Sequence, residues 1–417
     1  MALRHAANYD GFDVPMKALL TARTPKQVGI FGKMPVAHFL RHYWQKKPLL
    51  VRGAFPDFQD PITPDELAGL ACEDGVESRI VREKGSRGPW EVTWGPQEES
   101  TFAKLPNRAW TLLVQEANRW VPDVAMLLEP FTFLPNVRID DVMISFAAPG
   151  GSVGPHTDSY DVFLVQGKGE RRWMYGDRPL SHPAFEPGLD LRILQRFRAT
   201  EDAVLQAGDM LYLPPGYAHH GVAVTPCLTY SVGFRAPNAG EAWSSFAEWA
   251  ARELPANAIL EDPPLSPAKN PGDIPESLLK RAREMIRSID MSDDAIDRWY
   301  ASFSTRLKRG HVLEAPSRVP TIEVLWKRLA SGARVRRSEE ARFALLPRKR
   351  DSSLLLFVGG NELYVPAAAA PLARALCASR QFSGPMLVAL AKTKAARTLL
   401  HQLFAMGALV LLRGSRP

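Results

Sequence analysis

Between residues 139 and 237 the chain breaks into short β-prone runs: IDDVMISFAAPGG, SYDVFLVQGKG, ERRWMYG, AVLQAGDMLYLPPGY and CLTYSVGFRAP. Glycine and proline separate them, and no helical periodicity intervenes. Runs of this length and spacing form an all-β sandwich or small barrel and argue against a parallel α/β sheet. Within them, Ala207-Gly208-Asp209 forms a turn before a four-residue strand, and Pro214-Pro215-Gly216 must break that strand. A barrel whose rim turns carry chemistry suits this pattern.

The flanks read differently. Residues 1–30 form a lead-in with few periodic signals. In MPVAHFLRHYWQKKPLLVRGAF (34–55) a short helix with Phe39, Leu40 and Tyr43 on one face leads through Pro48 into a strand. Thr63 with Glu66 three residues on has capping-box spacing and opens a helix. NRAWTLLVQEANRWV (107–121) reads as an amphipathic helix. After Pro237 three helices are expected, over 238–255, 275–290 and 293–309, with a proline-rich linker across 261–275. Their apolar faces require either their own bundle or a second subunit. The last hundred residues alternate strands (DSSLLLFV, NELYVP) with helices (PLARALCAS, GPMLVALAKT, AARTLLHQLFAMG) and end in ALVLLRG, a small α+β unit of winged-helix type.

The candidate chemistry lies in GPHTDSYDVFLVQGKGERRW and, 63 residues after its first histidine, in PPGYAHHG. In an extended segment residues i and i+2 face the same way, so His156 and Asp158 can share a metal while Thr157 points away. One of His219 or His220, on a later strand, completes two imidazoles and one carboxylate. That set leaves three adjacent positions open and is typical of non-haem Fe(II) oxygenases. The same donors also hold zinc. If the co-substrate is 2-oxoglutarate, a cation must take its distal carboxylate. Lys168, Arg171 and Arg172 all follow the H-x-D pair, and the GKG turn resets the register so that strand parity does not choose among them.

Charge is divided along the chain. Residues 301–417 carry 20 Lys/Arg against 6 Asp/Glu, a net +14, and residues 1–300 carry −7. The basic block either attracts RNA through its phosphates or is a solvated surface. Cys72, Cys227 and Cys377 have no zinc or redox spacing and fit a reducing compartment. No apolar run approaches a membrane span, and no secretory leader is visible at the start, so the chain is expected to be cytoplasmic.

ISFAAPGGSVGPHTDSYDVFLVQGKGERRW, GDMLYLPPGYAHHG and YSVGFRAP together resemble the JmjC-type bacterial ribosomal oxygenases, 2-oxoglutarate-dependent arginine hydroxylases of a large-subunit ribosomal protein. The resemblance is strong over residues 30–237 and, further on, lies mainly in architecture. It implies a mainly β catalytic domain, a cupin-like double-stranded β-helix, over 31–237 after an N-terminal extension (1–30). An α-helical dimerisation region (238–309) and a small α+β winged-helix-like domain (310–417) follow. It also implies Fe(II) on His156, Asp158 and His219, with His220 as a rim or solvent-facing neighbour. Arg171 becomes the 2-oxoglutarate cation, with hydroxyl help from Ser145 or Ser231. Tyr160 and Asp161 become the substrate rim, offering an aromatic face and a carboxylate to an arginine side chain. The implied reaction is hydroxylation of an arginine β-carbon by a homodimer, compatible with RNA contact through the basic C-terminal domain. Rival readings are hydroxylation or demethylation of another residue, a zinc cupin, and a non-catalytic dimeric RNA-associated scaffold.

Overall fold

The computed structural model describes residues 29–83, 90–189, 191–235, 237–255, 259–267, 269–308, 311–348 and 351–412. Of the expected N-terminal extension, only Gly29 and Ile30 lie among them. The first eleven strands are β1 (Leu49–Val51), β2 (Ser78–Glu83), β3 (Trp90–Trp94), β4 (Trp110–Val114), β5 (Ile139–Ala147), β6 (Asp161–Gln166), β7 (Arg171–Pro179), β8 (Glu201–Leu205), β9 (Met210–Leu213), β10 (Tyr217–Ala223) and β11 (Cys227–Phe234). Eight form one antiparallel sheet in the order β1-β9-β6-β11-β5-β4-β2-β3, which faces a three-stranded sheet β10-β7-β8. This is the double-stranded β-helix arrangement, and its strand order shows why the central runs are so apolar.

β6 and β11 lie inside the large sheet and are covered on both faces. From β6, Val162 and Leu164 pack against Trp173, Tyr175 and Leu205 of the small sheet. Alternate residues Phe163 and Val165 join Phe39, Phe131, Tyr212, Tyr230 and Phe234 in a second core behind the sheet. Each such side chain contributes about 1.5–3 kcal/mol by leaving water. The segment ahead of the sheet follows the expected pattern, with a helix over Val36–His42 leading into β1. The Thr63 capping box is complete: its Oγ1 accepts from the Glu66 N–H at 3.2 Å, and Glu66 Oε2 accepts from the Thr63 N–H at 2.7 Å.

Residues 107–121 differ from the expected helix. Trp110–Val114 is strand β4, and only Ala117–Trp120 turns helically. The run TLLV is wholly buried because β2 and β5 flank it with ladder partners on both edges. Tertiary pairing overrides a helical period that three consecutive apolar residues, Leu112 to Val114, express only weakly.

After β11 the chain becomes helical, over Ala239–Glu253, Glu276–Arg287 and Asp293–Thr305. The first and third pack through Phe246, Ala250 and Trp299, with the Phe246 and Trp299 rings perpendicular at 5.5 Å. The middle helix buries no residue, and Leu279, Met285 and Ile286 on it are exposed. The C-terminal domain has its own core around Leu356, Leu376, Leu400 and Leu403. It contains a helix at Ile322–Ala330, strands β12 (Arg334–Arg337), β13 (Phe343–Pro347), β14 (Leu354–Val358), β15 (Asn361–Val365), β16 (Gln381–Ser383) and β17 (Leu409–Leu411), and three further helices between β15 and β17. It docks on the β domain through polar bonds, such as Asn136 Nδ2 to the Cys377 carbonyl at 2.8 Å and Arg119 to Glu340 at 2.7 Å. Among the described residues no helix is long and apolar enough to cross a membrane.

Candidate active site

His156 and His219 meet because their backbones bond to each other. The His156 N–H donates to the His219 carbonyl at 3.0 Å, and the His219 N–H donates back at 2.9 Å. An antiparallel pair of this kind brings the two side chains to one face, and the ring centroids are 4.2 Å apart. Asp158 Oδ2 lies 3.5 Å from His219 Nε2. One ligand atom from each of the three residues lies within 4.8 Å of the other two, and among the described residues no other such His/Cys/Asp/Glu group of three or more is found. Ligand atoms about 2 Å from a common ion would have this spacing.

The ring orientations also suit a metal. His156 Nδ1 lies 2.9 Å from the Gly154 carbonyl, and His219 Nδ1 lies 3.0 Å from the Tyr217 carbonyl. A proton on each Nδ1, donated to a carbonyl, leaves Nε2 with a free lone pair. Burial, and then the neighbouring His156, push His219 down to about 4, so it is neutral as a ligand must be. Of the two placements expected for it, at the rim or facing solvent, His220 does not take the second. It is half-buried beside Phe197, and its Nε2 is enclosed without a partner. Alternation along β10 turns it away from the face that His219 presents.

Arg171 begins β7 and is 2% exposed. Its Nη1 donates to Ser145 Oγ at 2.9 Å and Thr229 Oγ1 at 3.3 Å, and the guanidinium lies 5.1 Å from the Trp173 ring centroid. Nε has no partner, and among the described residues no carboxylate forms an ion pair with this cation. Burial lowers its pKa, opposed by Cys227. Gly221, two residues beyond His219 and on the same face of β10, makes room for it: a Cβ there would lie 2.9 Å from Arg171 Nε and 2.7 Å from the Trp173 ring. The other two sequence candidates face outward. Arg172 is bound to Asp202, and Lys168 is exposed on its turn. A buried guanidinium without an acid, on the interior wall that also carries His219, is poised to take a carboxylate.

The comparisons with known proteins agree with this geometry. Residues 126–242 match the JmjC domain family, and residues 284–410 match the ROXA-like winged helix. The ribosomal protein uL16 3-hydroxylase of Escherichia coli (strain K12) is 43% identical over 284 residues, which cover 68% of this chain and 74% of that protein. This chain belongs to the JmjC-type ribosomal oxygenases. Within the family, a probable ribosomal oxygenase of Haemophilus influenzae is 43% identical over 48% of this chain and 49% of that one. The structure of YcfD, a ribosomal oxygenase from Escherichia coli in complex with cobalt and 2-oxoglutarate, matches with a TM-score of 0.74 at 34% identity, covering 91% of this chain and 98% of that chain.

In this ribosomal oxygenase the structure redistributes the outer residues. Tyr160 is 39% exposed at the mouth, with a phenol pKa raised first by burial and then by Asp158 and Asp141. Asp161 does not stand beside it. Strand alternation turns Asp161 to the opposite face, where it has no exposed surface. There it accepts bonds from Tyr212 Oη at 2.6 Å, Gln45 Nε2 at 3.0 Å and Arg138 Nη2 at 3.3 Å. A fully enclosed carboxylate cannot meet a protein substrate, so Asp161 is a structural residue. One acid near Tyr160 is Asp141 on β5, whose Oδ1 lies 3.2 Å from where a Cβ on Gly233 would be, with Tyr160 at 3.8 Å from the same point; it is only 5% exposed, and its Oδ2 accepts from Gln115 Nε2 at 2.6 Å and from the Glu116 N–H at 3.2 Å. Burial and then Asp140 push Asp141 up to about 6. Ser145 bonds Arg171, but its cross-strand neighbour Thr229 supplies the second hydroxyl. Ser231 faces the same way two residues further along, opposite Met143 and Leu164, and does not bond to Arg171. A strand-parity argument from Ser145 across the β5–β11 ladder would have found Thr229, and a second acid in Asp140-Asp141 was visible but unassigned.

Proposed function

We propose that this chain is an Fe(II)- and 2-oxoglutarate-dependent protein hydroxylase that acts on an arginine β-carbon of a large-subunit ribosomal protein. The observation that carries this reading is Arg171, a buried guanidinium without an acid partner among the described residues, together with the His156/Asp158/His219 cluster, a donor set of two imidazoles and one carboxylate. The donor set fits iron, and Arg171 with Ser145 and Thr229 fits the far carboxylate of 2-oxoglutarate. Iron and 2-oxoglutarate, when bound, supply the activation of dioxygen that yields succinate, carbon dioxide and one oxygen atom for an unactivated C–H bond.

The chain's own residues hold and shield. Arg171 would hold the co-substrate's far carboxylate, and the Ser145 and Thr229 hydroxyls accept from the same guanidinium to keep it aimed inward. Trp173, Leu164 and Leu211 line the space between the sheets and keep water from it. At the mouth, Tyr160 offers an aromatic face to a substrate guanidinium. The −7 charge of residues 1–300 favours a basic protein. The name of the Escherichia coli relative, a uL16 3-hydroxylase, supports the ribosomal substrate. Such a substrate implies a cytoplasmic setting. The uncovered Leu279, Met285 and Ile286 are consistent with a homodimer, and the +14 C-terminal quarter with RNA contact that weakens as salt rises.

The deciding experiment is intact-mass analysis of large-subunit ribosomal proteins incubated with enzyme, iron and 2-oxoglutarate. A gain of one oxygen atom mapped to an arginine supports the proposal. Gain on another residue type, or methyl loss with formaldehyde release, replaces it with one of the rival readings. Absence of any 2-oxoglutarate turnover supports the scaffold reading.

A further inference from the structure

A cavity at the junction of the β domain and the winged-helix domain is lined by Arg337, Arg342 and Arg380, by Asn118 and Asn136, and by the carboxylates of Glu116, Asp140, Glu339 and Glu340. Arg337 ends β12, and Arg380 immediately precedes β16. The Arg337 N–H donates to the Arg380 carbonyl at 2.8 Å, and the ladder pairs Arg336 with Gln381, so the two arginines are direct cross-strand neighbours. Like charges in that position repel. Burial aggravates the repulsion, since Arg337 is only 5% exposed, and an arginine does not escape it by losing its proton.

Neither guanidinium has an acid partner among the described residues. Arg337 reaches only the Ala341 carbonyl, at 3.5 Å, and the Phe343 ring, at 4.8 Å, and its Nε is enclosed without a partner. The Arg380 side chain makes no hydrogen bond or ion pair, although its backbone N–H donates to Glu129 Oε1 at 2.8 Å. Burial first, and then Arg337, push Arg380 down to about 9. Arg342 Nη1 is also enclosed and unbonded, while its Nη2 is on Asp140. Four carboxylates line the cavity, and each holds a cation: Glu339 holds Arg336 at 2.9 Å, Glu340 holds Arg119 at 2.7 Å, Asp140 holds Arg342 at 3.1 Å and Glu116 holds Lys308 at 3.3 Å, while Glu340 Oε2 is enclosed without a partner. Two adjacent cations without an acid partner, Arg337 and Arg380, and the unbonded Nη1 of Arg342 border this space, whose four carboxylates each already hold a cation.

We infer that this interdomain cavity is a binding site for a small tetrahedral oxyanion, inorganic phosphate or sulfate, held by Arg337, Arg380 and the free Nη1 of Arg342. Four oxygens suit donors arriving from several directions, and the charge relieves the cross-strand repulsion. An anion there would also join the winged-helix domain to the β domain, because Asn118 and Asn136 of the β domain line the same cavity.

The test is calorimetric titration of inorganic phosphate into the full-length protein in chloride buffer at constant ionic strength, with sulfate and acetate in parallel. Saturable binding of phosphate and sulfate at one site per chain, and none of acetate, is the expected result. Arg337→Gln and Arg380→Gln each weaken it at least tenfold. Arg397→Gln, which removes a cation stacked on Trp326 elsewhere in the domain, leaves it unchanged. Arg337 is buried and its variant is first checked by circular dichroism; if it does not fold, Arg380→Gln and the anomalous signal of tungstate soaked into crystals decide. Absence of saturable binding to the wild-type protein, undiminished binding in Arg380→Gln, or tungstate bound away from these arginines overturns the inference. The readout is anion binding, so its failure is distinct from failure of the hydroxylase reading.

Discussion

Replacing Arg171 by methionine separates the cost of a buried charge from its use. In the ligand-free protein the guanidinium has two hydroxyl partners and no acid. Methionine fills a similar volume and removes that unpaired charge, so the variant without ligand should be as stable as wild type or more stable. With 2-oxoglutarate the sign reverses. Loss of two charge-assisted hydrogen bonds, at about 1.5–3 kcal/mol each, amounts to about 4 kcal/mol, on the order of a thousandfold in affinity. The assay is thermal unfolding in the presence of a redox-inert divalent metal, with and without 2-oxoglutarate at about 100 times its wild-type Kd. Wild type then gains about 2.7 kcal/mol, and the variant gains less than about 0.5 kcal/mol. Parallel turnover measurements should show the KM for 2-oxoglutarate raised by a similar factor. A ligand-free variant clearly less stable than wild type, together with an unchanged KM, would show that Arg171 is a structural cation and refute the argument.

Alanine at His156, Asp158 or His219 should abolish both bound iron and 2-oxoglutarate turnover, whereas alanine at His220 should leave iron bound; metal analysis after anaerobic purification distinguishes these outcomes. Asp141 has a folded pKa raised to about 6, so it takes up a proton on folding, and the cost of ionising it is absent below the ordinary carboxylate range and complete above about 6. Wild type should therefore lose stability across that window relative to Asp141→Asn, measured by denaturant unfolding as a function of pH. Asp161→Asn should destabilise by about 3 kcal/mol through weaker bonds from Tyr212, Gln45 and Arg138, with the peptide KM unchanged; a raised KM would return Asp161 to the substrate rim. Light scattering at micromolar concentration should give twice the chain mass, and Met285→Glu with Ile286→Glu should halve it.

Much of the fold was legible because its signals are local. The turn at 207–209, the four-residue strand after it, the Thr63 cap and the three helices beyond Pro237 each depend on residues within one turn or one strand of each other. The segment 107–121 was misread because its local period is ambiguous and the decision belongs to β2 and β5, which are distant in sequence. The helix at Ile322–Ala330 and strands β12 and β13 went unread in a stretch dense with arginine, where charge masks the apolar pattern.

For the site, the sequence alone determined the chemical inventory: an H-x-D pair, a later histidine doublet and three cations after a glycine turn. Ligand type and spacing are properties of the chain and can be read along it. Which side chain faces inward is not such a property. The backbone exchange between residues 156 and 219, the inward turn of Arg171 with Arg172 held outside by Asp202, and the turn of Asp161 to the enclosed face all depend on register across strands. A strand alternates every residue, so one step of register exchanges the buried face for the solvent face, and only the assembled sheets fix that step.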